Sequence, residues 1–252
     1  MNVAATTDDT EHEEHTGASA SPAASRRRGR GRIALAVSVF GELLITAGLV
    51  LGLFVVYSLW WTNVLADRKA DRQGDKVRDT WAQDSGPGAL DTGNGIGFLH
   101  VPAMKNGEVL VEKGTSSKIL NDGVAGYYTD PVKSALPMDG KNGNFSLAAH
   151  RDGHGAKFHN IDKLDEGDPI VFETRDNWYV YKVYAVLAET SKYNVEVLGA
   201  VPKESGRTKA GKYITLTTCT PVYTSRYRYV VWGELERVEK VDADRTPPKE
   251  LS

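Results

Sequence analysis

Three residue types that together could transfer an acyl group lie far apart in this chain. They are its single cysteine, Cys219, an arginine shortly after it, Arg228, and a histidine well before it, His150. Each sits at the end of a stretch with strand character. In YITLTTC, alternation puts Tyr213, Thr215, Thr217 and Cys219 on one face and Ile214, Leu216 and Thr218 on the other. A connection from Thr220 to Arg226 follows. Arg228 then opens the next run, sharing a face with Val230 and Trp232. Pairing the two runs as a hairpin would make Cys219 and Arg228 neighbours. FSLAAH ends on His150, with Ser146 and Ala148 on the same face.

A guanidinium beside a thiol favours the thiolate over the thiol, whose free pKa is ~8.5. It can also donate fork-like hydrogen bonds to a carbonyl oxygen that gains negative charge during acyl transfer. A cysteine nucleophile further needs a proton shuttle for the leaving group, usually histidine. Taken singly, each residue has a plain structural explanation: a free cysteine is commonly a small buried hydrophobe, and a strand-end histidine or surface arginine is commonly structural. Their joint spacing is what separates an enzyme from a non-catalytic, membrane-tethered extracellular binding module. His154, in RDGHG, makes only a weak metal pair with His150. His100 and His159 show no partner in the sequence, and His12 and His15 read as solvated residues of an acidic tail.

The elements that must position these residues divide the chain into five parts. The whole is 252 residues with a net charge of −2, enough for one sizeable domain with appendages and without the basic excess of a nucleic-acid binder. One cysteine cannot form an internal disulfide, so an extracellular part must be stable from its core alone. Residues 1–32 form an acidic, apolar-poor tail, expected to be disordered and cytoplasmic, closing on the arginine cluster RRRGRGR. Residues 33–61 are predominantly apolar, with Glu42 their only charge. The uncharged run from Leu43 to Trp61 would span ~28 Å as a helix, matching a hydrocarbon core. Tyr57, Trp60 and Trp61 sit where an interfacial aromatic belt belongs. An uncleaved transmembrane anchor is favoured over a signal peptide, whose apolar core is shorter. Basic residues flank both ends, and the denser N-terminal cluster points to a cytoplasmic N-terminus in a single-pass membrane protein. Gly48 and Gly52 have the spacing of a helix-packing motif, although glycine is common in such spans.

Residues 62–94 are polar and helix-tolerant, then break into SGPG and TGNG, and read as a stalk with a flexible linker. Residues 95–240 show short β-type runs: GFLHVP and VLVE around Asn106-Gly107, FSLAAH, IVFET and WYVYKVYAVLAE around Arg175-Asp176-Asn177, then the last pair. Thr115 to Leu120 reads as a short capped helix and FHNIDKL as another. This frequency of strands predicts an all-β, closed or partly closed antiparallel barrel with short helices. Residues 241–252 are a polar tail, and no second hydrophobic span follows the domain.

From about Gly97 to Val238 the chain resembles a sortase. Thr215-Leu216-Thr217-Thr218-Cys219 reads as the TLxTC signature, and Arg228 in RYRYVVWG matches the arginine opening the final strand. Ala149-His150 occupies the place of the histidine motif, with alanine where the family commonly has glycine, which requires ordinary backbone angles there. FHNIDKLDEGDPI, Phe158 to Ile170, looks like the short helix and Gly-Asp turn that follow. The resemblance implies an eight-stranded sortase-type β-barrel in which Cys219 is the nucleophile, His150 the general acid/base and Arg228 the oxyanion or substrate-positioning residue. It implies a cysteine transpeptidase of Gram-positive cell walls that needs no metal or organic cofactor. Such an enzyme cleaves surface proteins at a C-terminal sorting signal, between Thr and Gly, and joins them to an amine of a peptidoglycan precursor. TLTTCTP with RYRYVVWGEL, and no Asp-Pro-aromatic lid upstream, look most like class E and imply an LAXTG-type signal over LPXTG. The loop from about Thr190 to Lys212 would form part of the signal groove, with contacts unassigned. An L,D-transpeptidase would carry an SHGC-like run, which TLTTCTP lacks.

Overall fold

The computed structural model of the protein describes residues 30–83 and 95–252. The acidic tail, most of the arginine cluster and the SGPG/TGNG linker fall outside them. One helix, α1 (Arg30–Gln83), carries the apolar run. Large apolar side chains along it, among them Ile33, Phe40, Leu51, Phe54 and Trp60, are exposed, and this stretch is long and apolar enough to cross a bilayer.

Past Trp61, the helix does not stand apart from the domain as a free stalk. Ala66, Ala70, Val77 and Trp81 are buried, and the last three form a cluster with Phe98, Leu110 and Val124. Trp81 meets Phe98 edge-on at 5.5 Å between ring centroids, and the Arg78 guanidinium lies 4.2 Å from the Phe98 centroid. The docking stripe is built of small residues set among many charges, and the composition of 62–83 therefore reads as solvated.

Eight strands close into a barrel: β1 (Gly95–His100), β2 (Glu108–Lys113), β3 (Ala125–Tyr127), β4 (Gly143–Ala148), β5 (Pro169–Glu173), β6 (Asn177–Ser191), β7 (Lys212–Thr220) and β8 (Tyr227–Lys240). Their order around the barrel is β1-β2-β3-β4-β7-β8-β6-β5. The hairpins β1/β2, β5/β6 and β7/β8 are antiparallel, as the turn signals predict. The barrel is not wholly antiparallel, however, because β2/β3 and β4/β7 run parallel. The β5/β6 hairpin is inserted between β4 and β7 in sequence and packs elsewhere in the barrel, and β7 therefore returns beside β4 in the same direction. The one short helix of the domain, α2 (Ser117–Leu120), precedes β3, and FHNIDKL contributes only a 3₁₀ turn, Ile161–Lys163.

Inside the barrel, Phe145, Leu147, Ile214, Leu216 and Val231 join Leu99, Val111, Phe172 and Tyr181 in one core. The opposite faces of β4, β7 and β8 therefore point outward, and these carry Ser146, Thr215, Thr217, Cys219, Arg228 and Trp232.

Candidate active site

Strand register brings the three candidate residues to one rim of the barrel. Cys219 and Arg228 are direct partners across β7 and β8, and opposed Cβ atoms in antiparallel strands are about 4.5–5.5 Å apart. On the other side of β7, parallel pairing runs to Ala148 and Thr217. It is extended by the Ala149 N–H donating to Thr217 O at 3.4 Å and the Thr218 hydroxyl donating to Ala149 O at 2.7 Å. Continuing that register sets His150 level with Cys219. Ala149 is not among the residues of positive φ, so the alanine before the histidine sits in ordinary backbone.

His150 is half-buried. Its Nε2 lies 2.8 Å from Oδ1 of Asn121, an acceptor, so this nitrogen carries a proton and Nδ1 is left for exchange. Burial, and then the nearby His154, hold its pKa below the ordinary value, while Asp152 pulls the other way. The two imidazoles sit 5.3 Å apart between centroids. Arg228 donates through Nη1 to Tyr227 O at 3.0 Å, and no carboxylate pairs with it among the described residues. Its charge is therefore available to a ligand.

Several members of this rim were not anticipated. The Tyr128 side chain neighbours Thr217, Arg228 and Cys219, and burial raises its pKa. Arg151 is buried and donates to the Thr220 hydroxyl at 2.9 Å and to Asp162 at 3.1 Å, tying the residue after His150 to the residue after Cys219. Asp152 accepts from the Tyr223 N–H at 2.6 Å. Asn121 and Tyr128 flank β3, a strand too short to register as a pattern in sequence.

The connection from β6 to β7, residues 192–211, covers the outer face beside these groups. Its 3₁₀ turn, Val195–Leu198, buries Val197 and Leu198 against Val230 and Trp232. Buried polar side chains on the strands hold it. The Asn144 amide donates to Leu198 O and Gly199 O, both at 3.1 Å. The Ser146 hydroxyl donates to Leu198 O at 3.2 Å, and the Trp232 indole to Val197 O at 3.0 Å. The Thr215 hydroxyl orients Asn144 through Oδ1 at 2.9 Å.

Two other histidines, His159 and His100, have structural partners. His159 Nδ1 lies 2.8 Å from Arg151 O. His100 Nε2 lies 2.9 Å from Glu173, and with Glu108 the three place possible ligand atoms within 4.8 Å of one another. Arg78 and Arg245 already pair with Glu173 at 3.1 and 2.7 Å, so the cluster is a charge-balanced clamp and a poor host for a cation. A cavity of about 400 Å³ beside it, bordered by His100, Glu108 and Glu250, sits by β1. β1 lies across the barrel from β7.

Residues 99–236 match the Sortase domain family. The chain is 75% identical to Sortase SrtE2 of Streptomyces coelicolor over 99% of its length and all of that protein's. It is 46% identical to Sortase SrtE1 of the same organism over 84% of this chain and 60% of that one. Its fold is similar to a crystal structure of Sortase E1 from Streptomyces coelicolor with tripeptide in the active site. That match has a TM-score of 0.59 and 46% identity, and covers 65% of this chain and 100% of that one. Sortase E from Streptomyces avermitilis matches with a TM-score of 0.56 and 30% identity over 64% of this chain and 98% of that one.

Proposed function

The chain belongs to the sortase family, with class E relatives, and is a cysteine transpeptidase; from that premise we propose that it cleaves a C-terminal sorting signal of the LAXTG type between Thr and Gly and transfers the protein to an amine of a peptidoglycan precursor. The observation that carries the site is the strand register: Cys219 faces Arg228 across β7 and β8, and β4 delivers His150 at the same level on the other flank. The tripeptide in the active site of the related Sortase E1 is consistent with a peptide substrate.

In this reading Nδ1 of His150 takes the thiol proton of Cys219, and the thiolate so formed attacks the threonine carbonyl carbon as the carbonyl π electrons move onto oxygen. The unpaired Arg228 guanidinium donates to that oxyanion, where charge appears only in the transition state. As the tetrahedral intermediate collapses, the C–N bond breaks and His150 gives a proton to the departing glycine amine. A thioester remains. The acceptor amine attacks it, His150 takes the proton back, and the thiolate leaves with the C–S bond electrons. The connection 192–211 walls the groove that holds the signal. The apolar part of α1 anchors the enzyme in the cell membrane, with the N-terminus cytoplasmic and the barrel outside. Lipid bilayer, signal-bearing surface proteins and the precursor amine are its partners.

Mass spectrometry of the full chain with an LAXTG peptide tests the chemistry. Wild type should show an acyl adduct on Cys219, and Cys219→Ala should show none while keeping its fold. Arg228→Ala should slow cleavage roughly 10²–10³-fold, the usual cost of an oxyanion donor. An adduct elsewhere, or no cleavage of LAXTG and LPXTG peptides with an amine acceptor present, refutes the proposal. Full protection of the barrel from protease on intact cells would reverse the topology.

A further inference from the structure

The lower half of the docked helix makes contacts of a different kind from the upper half. Val77 and Trp81 bury apolar surface against Phe98 and Leu110, which is enough to hold a helix on a barrel. About two to four turns nearer the apolar span than Val77, the directed contacts are polar and reach two loops. Asn63 Oδ1 accepts from the Gly155 N–H at 3.0 Å, Asp67 Oδ1 pairs with Lys157 Nζ at 2.9 Å, and Lys69 Nζ pairs with Asp122 Oδ1 at 2.6 Å.

Both loops serve His150. Gly155 and Lys157 belong to the loop that leaves it, which closes when the Phe158 N–H donates to His150 O at 3.0 Å. Asp122 follows Asn121, the acceptor for His150 Nε2. The fit is close: a Cβ on Gly123 would lie 2.9 Å from Ala66 O, and one on Gly155 would lie 2.9 Å from Asp67 Oδ1. Both glycines also have positive φ, +76° and +79°, which side-chain-bearing residues rarely adopt. Asn63 stands two residues beyond Trp61, about 3 Å along a helix, so the clamp begins where the span ends.

We propose that the segment 63–69 of the juxtamembrane helix is part of the active-site scaffold, with Asn63, Asp67 and Lys69 as positioning residues that hold the backbone and the hydrogen-bond acceptor of His150 in register with Cys219. This rests on the reading of His150 as the acid/base.

The test uses the full chain in lipid nanodiscs. Wild-type cleavage of an LAXTG peptide, abolished in Cys219→Ala, first secures the underlying reading; without it that reading fails, not this one alone. The double variant Asn63→Ala/Asp67→Ala should then lose roughly 10–10²-fold in kcat, the cost of a small misplacement of a reacting group. KM and melting temperature should hold. Exchanging the charges, Asp67→Lys with Lys157→Asp, should restore most of kcat relative to Asp67→Lys alone. Trp81→Ala, at the apolar end of the same helix, should lower the melting temperature and leave kcat of the folded protein unchanged. An unchanged kcat in the double variant overturns the proposal. So does a loss of kcat that Trp81→Ala reproduces, since the helix would then act only through stability.

Discussion

Replacing Glu173 with glutamine keeps the shape of a side chain that ties three distant segments together and removes its charge. Glu173 is 2% exposed at the end of β5. It accepts from Arg78 of α1 at 3.1 Å, lies 2.9 Å from His100 Nε2 of β1, and accepts from Arg245 of the C-terminal tail at 2.7 Å. Burial alone would raise its pKa. The hydrogen bonds from His100, Arg78 and Arg245 outweigh burial and hold it at about 2 against an ordinary 4.5. A carboxylate whose folded pKa is depressed contributes stability that is complete above the unfolded value and is lost as pH falls toward the folded one. At ~1.4 kcal/mol per pKa unit, the contribution is about 3 kcal/mol, present at pH 7 and lost between about pH 5 and pH 2. Glutamine mimics the protonated carboxyl, so Glu173→Gln should cost about 3 kcal/mol at neutral pH and almost nothing near pH 2. Urea denaturation of the detergent-solubilised chain, followed by tryptophan fluorescence at a series of pH values, measures this directly. Carboxylates common to both proteins cancel in the difference. A cost under about 1 kcal/mol at pH 7, or a difference that stays constant through the acid range, would refute the argument that the clamp is held by ionised Glu173.

Two further outcomes follow from the rim. NMR titration of the His150 ring should give a midpoint below 6.5, because burial and His154 both disfavour its charged form. His154→Gln should raise that midpoint and Asp152→Asn should lower it further; opposite movements would contradict the geometry. Asn144→Ala leaves Leu198 O and Gly199 O without their buried donor. It should cost about 1–3 kcal/mol and raise KM for the peptide more than it lowers kcat, since the 3₁₀ turn that walls the groove loses its anchor.

Much of the site was legible in the sequence because it is carried by strands. Period-two alternation places Thr215, Thr217 and Cys219 on one face without reference to anything else. The length of the Thr220–Arg226 connection nearly dictates that Arg228 returns opposite Cys219. His150 was legible as a candidate but not as a neighbour, because its place depends on β4 and β7 pairing in parallel across an inserted hairpin. Asn121, Tyr128 and Arg151 carry no sequence signal. Asn121 reaches His150 through a tertiary hydrogen bond, Tyr128 leaves a three-residue strand, and Arg151 looks like any loop arginine until it is found buried. The stripe Ala66, Ala70, Gly74, Val77 and Trp81 does repeat at three- and four-residue spacing. Its small residues give a weak amphipathic pattern, and a helix that docks through close backbone approach therefore resembles a solvated stalk.

By itself the sequence determined the apolar span, the β-rich domain, the face on which each strand residue lies and the chemical inventory of one thiol, one imidazole and one guanidinium. These follow from local periodicity and side-chain chemistry. Tertiary structure alone decided that the barrel closes with two parallel seams, that Glu173 gathers two arginines and a histidine, and that the helix beyond the span grips the loops around His150. Those are contacts between segments distant in the chain, and their energies depend on burial and exact approach, which no short stretch of residues encodes.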